Sequence, residues 1–80
     1  MENINDIKYR EDIIKMEEII HRAGGYPSPE TRRNIVTIIN KILENKVIDI
    51  TTPEDIDSGK FRYVIETEKS ADEIFVNFQY

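Results

Sequence analysis

The sequence predicts an α+β domain in which two N-terminal helices pack on one face of a small, mostly antiparallel three-stranded sheet, in the order α-α-β-β-β. Three observations lead there. Up to residue 44, apolar residues recur at spacings of three and four, as on a helix with one buried side. From Val47 onward they alternate every second residue, as on a half-buried strand. Eighty residues hold a single small core, so residues 1–80 are read as one domain.

The first helix is expected over residues 5–22. Tyr9, Ile13, Met16, Ile20 and Ala23 form one stripe, widened by Ile7, Ile14 and Ile19. Glu11 with Lys15 and Glu18 with Arg22 are i,i+4 pairs with the acid first, the better orientation. Gly24 and Gly25 stop the helix, because glycine takes a left-handed C-terminal conformation cheaply. Tyr26 and Pro27 form a short connector. Ser28, Pro29 and Glu30 then supply an N-cap, a first turn and a dipole-compensating acid. This second helix is expected to reach Glu44, with Ile35, Val36, Ile38, Ile39, Ile42 and Leu43 on a broad apolar face and Asn45 as a left-handed terminator.

Residues 47–52 read as the first strand. Thr52, Pro53, Glu54 and Asp55 form a capped helical turn that holds Ile56 inward, and Asp57, Ser58 and Gly59 form a turn. Phe61, Tyr63 and Ile65 define the second strand and Ile74, Val76, Phe78 and Tyr80 the third, with a polar loop over residues 67–72. Ser70 and Glu73 could instead be a capping box opening a helix. The β-branched and aromatic content of 74–78, and its clean alternation, favour a strand. The inward face is expected to be Ile48, Ile50, Phe61, Tyr63, Ile65, Ile74, Val76 and Phe78. The outward face is then Val47, Asp49, Thr51, Arg62, Val64, Glu66, Glu73, Phe75, Asn77 and Gln79.

Composition narrows the function. The net charge is −5, and all of it falls in residues 44–80, where nine acids face four bases; residues 1–43 carry seven of each. A field of that sign repels phosphate backbones and favours basic partners. The chain has no cysteine, which removes disulfides and thiolate metal sites and fits a reducing cytoplasm. It shows no signal peptide and no apolar stretch of the roughly 18 residues that span a bilayer, so no membrane association is expected.

No constellation for catalysis stands out. His21 is the only histidine, and its sequence-local partner Glu17 is one helical turn away, the spacing of an ordinary surface pair. Ser28, Ser58 and Ser70 each sit where a cap or turn favours serine. Asp49, Glu54, Asp55 and Asp57 lack EF-hand spacing. The Gly24–Gly25 pair follows no strand and so is no phosphate-binding loop. We therefore expect no enzyme, no cofactor and no metal site. Arg22, Arg32, Arg33 and Lys41 could form a small basic patch in a truncated winged-helix regulator. Such readers use three helices with basic and amide groups on an exposed one, and here the second of two helices is largely apolar. Direct nucleic-acid binding is the second reading.

The first reading is a non-enzymatic acidic protein-binding module, an inhibitor or regulator docking on a basic, nucleic-acid-handling protein. Two surfaces carry it. One is the outer sheet face, with Val47, Val64 and Phe75 as an apolar centre ringed by Asp49, Arg62, Glu66 and Glu73; it could also serve a homodimer. The other is the acidic tract from Glu44 through Asp57, with Asp49, Glu54, Asp55 and Asp57 as its candidate contacts and Glu66 to Glu73 behind it, able to mimic a phosphate backbone. Small acidic blockers such as phage anti-defence and immunity proteins share this size and charge, a likeness of composition that carries no motif.

Overall fold

The computed structural model describes residues 4–24 and 28–78, the side chain of Asp6 excepted. The elements are α1 (Ile4–Lys8), α2 (Arg10–Arg22), α3 (Pro29–Ile42), β1 (Lys46–Asp49), α4 (Pro53–Asp57), β2 (Lys60–Glu66) and β3 (Ala71–Asn77). The strands form one antiparallel sheet in the order β1-β2-β3, with Ile48 opposite Val64, Tyr63 opposite Ile74 and Arg62 opposite Phe75. This is the predicted α+β architecture.

Met16, Ile19 and Ile20 from α2 and Ile35 and Ile39 from α3 meet Val47, Phe61, Tyr63, Ile65, Ile74 and Val76 from the sheet in one core. The ring of Phe78 stacks 4.7 Å from that of Phe61 on this inner side. Ser28 caps α3 by accepting the Thr31 N–H. Thr52 and Asp55 form a reciprocal capping box on α4, and Gly59 takes a positive φ of 78° in the turn that follows.

Several expectations are corrected. The first helix is broken at Tyr9 (φ −111°, ψ 26°), which separates α1 from α2. The break lets the buried Tyr9 reach Asp72, while Asn5 donates to the Glu73 carbonyl on the edge of β3. Tertiary contacts override an uninterrupted helical pattern here. The second helix stops at Ile42, because Leu43 is extended (φ −85°, ψ 147°) and buried. Asn45 is not left-handed, since no described residue other than glycine has positive φ.

The largest correction concerns β1. Val47, expected on the outer face, is 2% exposed and part of the core, whereas Ile48 and Ile50, expected inside, are only half-buried. Asp49 accordingly lies opposite the inward Tyr63. Both parities of this strand carry an apolar residue, so the pattern leaves its register open. Asn40 of α3 decides it, as its side-chain amide donates to the Val47 carbonyl (2.9 Å) and accepts the Val47 N–H (2.8 Å). β1 is also shorter than expected, ending at Asp49, while β3 begins earlier, at Ala71. Ser70 does not open a helix; its hydroxyl donates to Asp72. The expectations for Gly25, Tyr26, Pro27, Gln79 and Tyr80 fall outside the described residues.

Candidate protein-binding face

The three strands turn four rows of side chains toward the side of the sheet opposite α2 and α3, as register and alternation require. Lys46, Glu66 and Ala71 form the first row; Ile48, Val64 and Glu73 form the second. Ile50, whose N–H bonds the Arg62 carbonyl, continues the alternation into a third row with Arg62 and Phe75. Lys60 and Asn77 form the fourth. Phe75 is 40% exposed, and the Lys60 ammonium lies 5.5 Å from its ring centroid, a cation–π contact.

Val64, Glu66, Glu73 and Phe75 thus share one face, as expected, with Ile48 in the place assigned to Val47. The other candidates are not with them. Asp49 accepts both the Thr51 N–H and its hydroxyl, and lies 3.9 Å from Arg32. Asp55 closes the capping box with Thr52 and lies 3.2 Å from Arg62. The Thr52 backbone N–H, then its hydroxyl and Arg62, hold the Asp55 carboxyl below its ordinary range. Both aspartates are therefore structural. Glu54 and Asp57 are exposed on α4.

A third aspartate is engaged in the same way. Asp72 accepts the Tyr9 hydroxyl, the Lys8 ammonium at 3.0 Å and the Ser70 hydroxyl at 3.0 Å. Those bonds, Tyr9 first, hold its carboxyl low, and Asp72 in turn holds the Lys8 ammonium above its ordinary value. Of the nine acids in the second half, the other six, all glutamates but Asp57, make no ion pair with the described residues. They are also not contiguous. Glu44 and Glu68 line a polar cleft where β1 begins, whereas Glu54 and Asp57 lie on α4, beyond the other end of that strand.

Sequence reasoning missed Lys46, Ile48, Ile50 and Lys60 as members of the face. With β1 in its observed register, Lys46 falls on it beside Glu66. The helix layer is not wholly polar outside either. Ile38 and Ile42 are 41% and 54% exposed and line a cavity of about 220 Å³ with Ile19, Arg22 and Ala23. Among the described residues no three His, Cys, Asp or Glu side chains gather where they could hold a metal ion, and no helix is long and apolar enough to cross a membrane. His21 and Glu17 line a small surface depression on α2 with Ile14 and Glu18. Comparison with models of known protein families, with curated proteins and with solved structures finds no match to this chain.

Proposed function

We propose that this chain is a protein-binding module with no chemistry of its own, a small cytoplasmic inhibitor or regulator of the anti-defence or immunity kind that docks on a basic, nucleic-acid-handling protein. The carrying observation is the sorting of its carboxylates. Three aspartates are used inside the fold, each against a base, so the surplus negative charge rests on side chains that make no ion pair with the described residues. Such charges steer a basic partner and fix its orientation more than they add affinity. Glu54 and Asp57 among them are exposed on a helix whose cap relies on other residues. Nucleic-acid binding draws less support, because Arg32 at the start of α3 is already turned onto Asp49 and the Thr51 carbonyl.

The test uses the immobilised chain beside its Glu54→Lys/Asp57→Lys variant, in a cell extract at low salt. The expected result is a basic protein retained by the parent, released by moderate salt and not retained by the variant. Equal retention by both would remove the acidic surface from consideration. Binding of the parent chain to a heparin or DNA column would favour the nucleic-acid reading instead.

A further inference from the structure

We infer that the outer sheet face binds a second copy of this chain, about a two-fold axis that runs across the strands between the row of Ile48 and the row of Ile50. The basic partner proposed above uses the acids of α4, so this inference stands apart from it.

The charge pattern of the face carries the inference. Lys46, Lys60 and Arg62 balance Asp55, Glu66 and Glu73 on and beside it, so the face is not itself acidic although the chain is. A basic protein gains nothing from a neutral face. The order of the charges along the strands matters more than their sum. On β2, Glu66 stands at one end and Lys60 at the other, with Val64 and Arg62 between. A two-fold axis across the strands reverses that order in the second copy. It sets Glu66 over Lys60 of that copy and Lys60 over its Glu66. It sets Glu73 over Phe75, where the other copy's Lys60 ammonium already rests on the ring. Ile48 meets Ile50 along the β1 side and Val64 meets Arg62 on the central strand, the same two rows facing one another as an isologous interface requires. The other two-fold arrangement, with the axis along the strands, stacks Glu66 on Glu66 and Arg62 on Arg62, and like charges in contact oppose association. Sheets facing one another with strands roughly aligned are an ordinary packing.

Size sets the strength. Three strands about 4.8 Å apart and seven residues of about 3.3 Å each give a patch of roughly 14 by 23 Å. That is well short of the ~800 Å² per partner of a stable complex, so the dimer is reversible and forms at high concentration.

The experiment is sedimentation equilibrium of the full chain up to ~1 mM, the range of a weak complex. The parent chain is compared with Lys60→Glu, with Glu66→Lys, and with an equimolar mixture of the two variants. Each variant alone is expected to dimerise at least roughly tenfold more weakly, because each sets like charges over one another. The mixture is expected to recover association, since one variant then presents two acids where the other presents two lysines. Circular dichroism of each variant checks the fold. A parent chain that stays monomeric at the highest concentration overturns the inference, as does a mixture that recovers nothing. Dimerisation that both variants leave intact, but Ile38→Ser or Ile42→Ser abolishes, would place the contact on the helix layer and overturn it too.

Discussion

The two outer edges of the sheet are closed by the same residue type in different ways. On the β1 edge, the Asn40 amide takes both the N–H and the C=O of Val47, so one side chain stands in for a neighbouring strand. Asn40 is carried by α3, a fourteen-residue helix whose Ile35 and Ile39 are fully buried. On the β3 edge, Asn5 donates to the Glu73 carbonyl (2.9 Å), and its carrier α1 has five residues. Ile4 and Ile7 of α1 are 77% and 59% exposed. An unpaired edge invites association with another chain, and a protein manages it by covering or charging it. Here one edge is covered by the core-forming helix. The other is held at its rim by Asn5 and by the cluster of Lys8, Tyr9 and Asp72. Strength of closure therefore follows burial of the supporting helix and not the identity of the capping side chain.

The hardest blow to the comparison is to the helix that supports β1. Ile39→Ala should destabilise the domain by about 2–5 kcal/mol, as for a fully buried isoleucine, while Ile7→Ala on α1 should stay within about 0.5 kcal/mol. Denaturant unfolding of the two variants measures the contrast, and similar losses would mean that α1 is as integral as α3. Next come the asparagines. Asn40→Ala leaves the Val47 N–H and C=O without their partner and should cost about 1–3 kcal/mol, with faster exchange of the Val47 amide. Asn5→Ala should cost less than about 1 kcal/mol, since its bond is exposed to water. A larger loss at Asn5 than at Asn40 would reverse our reading of the edges.

Ser28→Ala removes the cap of α3 and should cost about 1 kcal/mol. An unchanged midpoint would show that the Pro29 start alone suffices. The smallest effect sharpens the β3 side through pH. Asp72 is held low by Tyr9, Lys8 and Ser70. A carboxyl lowered in the folded state contributes stability above its unfolded pKa and loses that contribution as pH falls through the folded value. Stability should therefore decline on acidification below the ordinary carboxylate range, and Asp72→Asn should flatten part of that decline. Lys8 is raised, so its part is present below the unfolded lysine value and fades only as pH rises through the folded one. An unaltered acid limb in Asp72→Asn would show that the cluster on the β3 edge contributes nothing measurable.

The elements that were legible from the residues are those governed by local chemistry. The Ser-Pro-Glu start of α3, the Thr-Pro-Glu-Asp start of α4 and the alternation of β2 and β3 each contain their own instruction, and each is found in place. What could not be read depended on a partner in another element. Nothing between residues 5 and 22 announces the break at Tyr9, because its cause is Asp72 on another strand. The register of β1 turned on Asn40, and the loss of Asp49 and Asp55 as surface charge turned on Arg32 and Arg62. The face was accordingly legible on β2 and β3, Lys60 and Ala71 apart, and inverted on β1. Tyr63 is a similar case from the interior: its hydroxyl is buried without a hydrogen-bond partner among the described residues, and burial raises its pKa. No sequence pattern marks it, and Tyr63→Phe should be neutral or slightly stabilising for that reason.

The bond between Asn5 and Glu73 spans 68 positions and that between Lys8 and Asp72 spans 64. The strand pairings, by contrast, join strands that follow one another in the chain. On the ribosome, then, α1 is made before β3 and docks late: the surface that receives it does not exist until β3 has been synthesised. Until then Tyr9, buried in the finished fold, is open to whatever else is nearby. At a synthesis rate of about 5–20 residues per second that interval lasts several seconds, longer than a small helical hairpin or a β-meander needs to form. The order of assembly is thereby the reverse of the order of synthesis for this segment, and the β3 edge is the last part of the molecule to be closed.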